Sequence, residues 1–222
     1  MTTLAMPKPR RDSGMEGMVA KWYASNTAEM MKEYVDLARR IAGELPQGST
    51  VLEVAPGPGY FSIELARLGN YTIAGLDISH TFVKMAAKKA AAAGVKVDFK
   101  QGSASKMPLM SNSFDFLLCR AAFKNFANPV EALREMCRVL KPGGRGLIID
   151  LKGDASKQEL GRAVDGMGLS TFNRVLTKLA FKTMLLKRAY TRQQFEQMLA
   201  QTEFAKVEIA ESDLGLEIAM TK

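Results

Sequence analysis

The sequence predicts an α/β fold: a doubly wound sheet of seven strands, mostly parallel, that ends in an antiparallel C-terminal hairpin. Two observations carry this. Short β-branched or apolar runs alternate with amphipathic helical stretches between residues 50 and 151, and five strands with helices between them imply a parallel sheet covered on both faces. The last two runs, Val207-Glu208-Ile209 and Leu216-Glu217-Ile218-Ala219-Met220, are joined through Ser212-Asp213, a connection too short for a parallel crossover.

Each element follows from its local pattern. Residues 16–45 read as helical, with Val19, Trp22, Tyr23, Met30, Tyr34, Leu37, Ala38 and Ile41 near helical spacing, a break at Ser25-Asn26-Thr27 and a stop at Pro46-Gln47-Gly48. Thr50-Val51-Leu52-Glu53-Val54 is a strand, Ala55-Pro56-Gly57-Pro58-Gly59 a turn, and 60–68 a helix. A second strand over 71–76 ends in Asp77. Ser79 caps a helix that runs into the alanine block and stops at Gly94. A strand near 95–101 and a polar loop precede the apolar run 114–119. Pro129 opens a helix capped by Asn128, which Lys141-Pro142-Gly143-Gly144 ends before a strand over 146–150. The region 154–201 has a helical pattern.

Composition narrows the class. The chain has 222 residues, 47% hydrophobic and 24% charged, which suits one globular unit that needs neither disulfides nor metal to fold. Cys119 and Cys137 read as buried thiols, with no metal-ligand spacing around them or the lone histidine. No uncharged apolar stretch reaches the roughly 18 residues that span a bilayer. Residues 1–11 lack the apolar core of a secretory signal and read as a frayed arm, so the expected location is the cytoplasm. The net charge of +8 is uneven: residues 152–192 hold nine basic side chains against three acidic. Without interleaved exposed aromatics, that excess is a poor footprint for nucleic acid.

The segment from Val51 to Phe61 carries most of the chemistry. A strand, a glycine-containing turn and a helix bring backbone close to a ligand and aim free N–H groups at it. Ser62 replaces the third glycine of a dinucleotide fingerprint, and Glu53 would repel a pyrophosphate but suit an amino group. Asp77, at the end of the second strand, is placed to accept from two ribose hydroxyls. Pro56 cannot take positive φ, so the turn must keep negative φ there.

These residues resemble a family. Glu53 to Gly59, Asp77-Ile78-Ser79, Gly102-Ser103-Ala104 with Met107-Pro108-Leu109, Phe114-Asp115, and Arg138 to Gly144 are similar in order and spacing to the motifs of class I S-adenosylmethionine-dependent methyltransferases of the ubiquinone-biosynthesis-like branch, a Rossmann-like fold. The resemblance covers residues 50–151. It implies S-adenosyl-L-methionine as cofactor and S-adenosyl-L-homocysteine as product, with Ala55, Pro56, Gly57 and Gly59 against the methionine moiety. By the same resemblance Glu53 orients the amino group, Asp77 binds the ribose, Ile78 packs on adenine, and Tyr60, Ser103, Ala104 and Arg120 complete the cofactor site. Ser103 stands where many members have an acid that accepts from adenine.

Other residues admit two readings. Arg120 either binds the cofactor carboxylate or an acidic substrate, or is a surface arginine. Tyr23 and His80 are the catalytic candidates, though a polar residue in the first turn of a helix, as His80 is, is more often solvated. Trp22 is read as core or as part of a helix covering the cofactor. The basic amphipathic segment 168–190 is read as an ordinary cationic face, as a lid over the acceptor, or as a peripheral membrane contact. One domain is expected over 1–222: a helical cap (1–48), a cofactor-binding core (49–151), a basic helical lid (152–192), and a last helix with the hairpin (193–222). The expected reaction is methyl transfer to a small organic acceptor, by a monomer or homodimer. The alternatives are a noncatalytic binding module, a nicotinamide oxidoreductase and, behind them, an RNA methyltransferase.

Overall fold

The computed structural model describes residues 14–27, 31–165 and 186–222. Seven strands form one sheet: β1 (Thr50–Val54), β2 (Thr72–Asp77), β3 (Asp98–Gln101), β4 (Phe114–Arg120), β5 (Leu140–Leu151), β6 (Lys206–Glu211) and β7 (Gly215–Thr221), in the spatial order β3-β2-β1-β4-β5-β7-β6. The pairs β1–β2, β1–β4, β2–β3 and β4–β5 are parallel, whereas β5–β7 and β6–β7 are antiparallel. Strand order reverses between β1 and β4, and it is beyond the carboxyl ends of the strands at such a reversal that open α/β sheets bind their ligands.

The helices are α1 (Gly17–Thr27), α2 (Met31–Glu44), α3 (Tyr60–Leu68), α4 (His80–Ala92), α5 (Pro129–Val139), α6 (Lys157–Asp165) and α7 (Arg192–Leu199). The alternation of side chains divides the core. Leu52, Val54, Leu117 and Cys119 pack with Leu133 and Met136 of α5 and Phe195 of α7, while Val51, Phe116 and Leu118 pack with Ile41 of α2 and Phe61 of α3. Apolar side chains on both faces of β1 and β4 are what a sheet covered on two sides demands. Ser79 caps α4, its hydroxyl accepting from the Phe82 amide at 3.1 Å. Both cysteines are buried. No helix among the described residues is long and apolar enough to cross a membrane.

Three expectations are corrected. Lys141-Pro142-Gly143-Gly144 does not separate helix from strand: β5 begins at Leu140, opposite Phe114, and bulges before Arg145 meets Phe116. Gly143, at φ 76°, turns that bulge, and a Cβ on Gly144 would lie 2.8 Å from the Lys141 carbonyl oxygen. Asn128 stands at the N-cap of α5 but its side chain makes no capping bond. Trp22 is 68% exposed, so it belongs to no core. The segment 168–190, for which three roles were weighed, lies mostly outside the described residues.

Candidate functional site

Register brings the acidic strand ends together. Glu53 pairs across β1 with Gly75 and Leu118, and Val54 with Leu76 and Cys119, so Asp77 and Arg120 stand level with Ala55, where β1 ends. Two of these strands leave the sheet through left-handed alanines: Ala55 at φ 55° and Ala121 at φ 56°, whose amides bond Leu76 and Ile149 carbonyls at 2.7 Å. Pro56 is outside the positive-φ region, as required, and Ala55 takes the left-handed turn in its place. Such a conformation is costly for alanine.

Glu53 is the most informative side chain. It is buried, and among the described residues only Ser62 donates to it, through the amide at 3.1 Å and the hydroxyl at 2.5 Å, both to Oε2. Burial raises its pKa to about 7, against the opposing pull of the two Ser62 bonds and the charge of Arg120. A buried carboxylate that keeps an oxygen unbonded is a receptor for a cation or a strong donor. Ser62, absent from a dinucleotide fingerprint, is therefore the residue that holds Glu53 in place.

The turn beside it is shaped by two glycines with different duties. Gly59, at φ 78°, is where α3 packs against its neighbours, because a Cβ there would come within 2.8 Å of the Phe99 ring and 2.9 Å of Ala86. Gly57, at φ 54°, has nothing within 4 Å of its would-be Cβ and so presents bare backbone to open space. Its amide donates to Asp77 at 2.9 Å, and the Ser79 amide to the other carboxylate oxygen at 2.8 Å. Burial raises the Asp77 pKa, opposed by those two bonds. Each Asp77 oxygen retains a lone pair toward a ligand. A buried acid for an ammonium, a bare glycine backbone and a second acid for hydroxyls fit a nucleoside that carries a free amino acid, such as S-adenosylmethionine.

The remaining candidates divide. Arg120 is no surface arginine: its guanidinium stacks 4.3 Å from the centre of the Tyr34 ring and pairs with Glu33. Tyr34, beside it, has its pKa pushed up to about 12 by burial. Tyr60 is buried with its hydroxyl donated to the Ala24 carbonyl at 2.9 Å, which ties α1 across the site instead of leaving the group for a ligand. Tyr23 packs edge-on to Phe82 and lies within electrostatic reach of Arg120, Asp150 and Asp77, with burial raising its pKa. Ile78 is half-buried just past Asp77, its carbonyl accepting from Gln101 at 3.1 Å. Ser103 accepts from the Ser105 amide at 3.2 Å and Ala104 packs on the core. His80 is exposed on the first turn of α4, its amide donating to Glu16 at 2.9 Å.

Sequence reasoning missed one group. Lys124, just after β4, and Asp150, in β5, form a buried ion pair at 2.7 Å; the ammonium also donates to the Ala121 carbonyl at 2.5 Å and the Lys124 amide to Asp150 at 2.9 Å. The available clue was that Asp150, like Asp77, closes a strand of the same sheet. A separate cleft of about 260 Å³ between α2 and the C-terminal hairpin is lined by Arg40, Glu44, Arg145 and Glu217. These already pair with one another, and the cleft lies by the opposite ends of the parallel strands.

Residues 52–148 match the family described as Methyltransferase domain. Over those residues, just under half of its length, the chain is similar to methyltransferase domains. It is 39% identical over 107 residues to a demethylmenaquinone methyltransferase of Deinococcus radiodurans, an alignment covering 48% of this chain and 44% of that protein. Its counterpart in Mycobacterium tuberculosis is 32% identical over 154 residues, covering 68% and 63%. The chain thus spans between 44% and 63% of the length of these curated relatives. A Methanococcus maripaludis structure provisionally assigned to the S-adenosylmethionine-dependent methyltransferases superposes on this chain with a TM-score of 0.74 at 22% identity, over 96% of this chain and 97% of its own.

Proposed function

We propose that the chain transfers a methyl group from S-adenosyl-L-methionine to a small organic acceptor, by in-line attack on the sulfonium carbon. The observation that carries this reading is Glu53, a buried carboxyl whose hydrogen-bond donors among the described residues are both on Ser62, at the strand end before the turn where Gly57 presents bare backbone. Similarity to demethylmenaquinone methyltransferases supports an acceptor of the same class, a carbon of a quinol-type ring.

When bound, the cofactor supplies an electrophilic methyl group on a positively charged sulfur. Glu53 holds the ammonium, Asp77 the ribose hydroxyls, Gly57 and Gly59 give the methionine moiety a close approach, and Ile78 packs on adenine beside Ser103 and Ala104. Arg120, fixed by Tyr34 and Glu33, borders the reacting end. The inner face of α1, with Ala20 and Ala24 buried and Tyr23 half-buried, excludes water from above. Positioning and exclusion of this kind contribute on the order of 7–11 kcal/mol. Of the two catalytic candidates, Tyr23 is the better placed. Its raised pKa keeps the phenol protonated at neutral pH, so it orients the acceptor by a hydrogen bond and does not deprotonate it. The chain acts in the cytoplasm as a monomer or homodimer.

Two measurements test the reading. Calorimetry should give S-adenosylhomocysteine binding at micromolar concentrations and none for NAD, and incubation with radiolabelled S-adenosylmethionine and a demethylated quinol should yield labelled product. NAD binding without S-adenosylhomocysteine binding would overturn the cofactor; cofactor binding without turnover on any acceptor would make the chain a binding module.

A further inference from the structure

Two opposite charges leave the same face of the sheet and do not pair with each other. Glu53 lies opposite Leu118 in the parallel register of β1 and β4, and Arg120 follows Leu118 by two residues, so both side chains start from the face that α2 and α3 cover. One strand spacing and two residues of rise separate their Cα atoms by about 8 Å. The charge of Arg120 acts on Glu53, yet among the described residues Glu53 receives only the two Ser62 bonds, and the anion that Arg120 holds is Glu33, in the first turn of α2.

That ion pair is lopsided. The Arg120 side chain is 14% exposed and that of Glu33 57%. A buried guanidinium needs an anion, but a pair with an exposed carboxylate is worth little and is easily exchanged. Arg120 does not depend on Glu33 for its place. It lies 4.3 Å from the centre of the Tyr34 ring, that ring packs at 5.4 Å on the Tyr60 ring, and the Tyr60 hydroxyl is tied to the Ala24 carbonyl at 2.9 Å. The cation is thus fixed by aromatic packing while its anion reaches in from the surface. A free amino acid group carries the two charges that match, an ammonium for Glu53 and a carboxylate for Arg120.

We propose that Glu33 is a displaceable counterion: it occupies Arg120 in the ligand-free chain and yields it to the carboxylate of the bound amino acid moiety. Glu53 and Arg120 then hold the two ends of one zwitterion, and Glu33 sets how tightly it is held. The inference rests on the cofactor reading above and adds to it a residue of α2 that competes with the ligand. A ligand with the ammonium but no carboxylate leaves the Arg120–Glu33 pair closed.

Calorimetry on the full chain compares S-adenosylhomocysteine with its decarboxylated analogue, which keeps the ammonium, in the parent, Glu33→Gln and Arg120→Gln. The parent should bind S-adenosylhomocysteine at least tenfold tighter than the analogue. Glu33→Gln, a change at an exposed side chain, should tighten S-adenosylhomocysteine about fivefold, the upper range for a pair with an exposed partner. It should bind the analogue no tighter, since removing a negative charge does not favour a cation. Arg120→Gln should reduce S-adenosylhomocysteine to the affinity of the analogue. An unchanged or weaker S-adenosylhomocysteine affinity in Glu33→Gln would overturn the proposal, as would equal tightening of both ligands, because Glu33 would then act on something other than the carboxylate. Equal affinities of the two ligands in the parent would also overturn it, by removing Arg120 from the carboxylate. These results leave the cofactor in place; absence of S-adenosylhomocysteine binding in all three proteins would overturn the cofactor reading and the proposal together.

Discussion

Cofactor binding should depend on pH through Glu53. With its carboxyl at about 7 in the ligand-free protein, roughly one molecule in eleven carries the charge at pH 6 and ten in eleven at pH 8. The ammonium of S-adenosylhomocysteine is protonated throughout, and it needs the ionised carboxylate. Affinity should therefore rise about tenfold from pH 6 to pH 8, about 1.4 kcal/mol, with close to one proton released per ligand bound at pH 6. Isothermal titration in two buffers of different ionisation enthalpy measures both quantities. The ligand-free protein should respond in the opposite direction. Because the folded pKa lies above the unfolded value of 4.5, the native state holds the proton more tightly, and stability falls as pH rises from about 4.5 through about 7, by about 3 kcal/mol in all. Glu53→Gln removes both dependences and lowers affinity at pH 8. A flat affinity between pH 6 and 8 would refute the reasoning. An unchanged slope in Glu53→Gln would transfer the effect to Asp77, whose pKa burial also raises.

Three further outcomes are expected. Asp77→Ala should weaken S-adenosylhomocysteine binding by about 1.5–3 kcal/mol by calorimetry, since the lost charge-assisted bonds have no replacement in the crevice; an unchanged affinity would remove Asp77 from the ribose site. Ala55→Gly should raise stability by about 1 kcal/mol, a melting shift of roughly 2–4 °C in calorimetric scans, by relieving the left-handed alanine; a fall in melting temperature would mean the turn carries no strain. Lys124→Met should cost about 3–5 kcal/mol in urea titrations because it leaves the Asp150 carboxylate buried without its cation, and a loss under about 1 kcal/mol would count against that burial.

The parts of this molecule that sequence made legible are those where burial forces residue choice. β1 and β4 had to be apolar on both faces, so their runs stand out, and an acid ending such a run, as Glu53 and Asp77 do, is conspicuous because burial penalises it. The missed features lack such constraints. Lys124 follows a strand and reads as a solvated loop lysine until β5 is seen to deliver Asp150 beside it. Ala55 and Ala121 adopt a conformation that alanine does not advertise. Trp22 misled because helical spacing shows which residues share a face but not which face turns inward. Ala20 and Ala24 won the inner face because α1 approaches closely enough for Tyr60 to reach the Ala24 carbonyl, and a larger side chain would hold it off. The Lys141 to Gly144 bulge was misplaced because proline and glycines ordinarily end helices, whereas here they widen a strand.

The carboxylate of Glu16 has a consequence for selectivity. The first amides of α4 form the positive pole of a helix that starts three residues past Asp77, a place that can bind a phosphate. Here His80 and Thr81 already spend their amides on an anion supplied by the same chain. A nucleotide bearing phosphate on its ribose would have to evict a tethered internal competitor at effectively constant local concentration, whereas a nucleoside with free hydroxyls asks nothing of that pole. With the His80 and Thr81 amides donated to Glu16, the start of α4 keeps neither of them for an incoming phosphate.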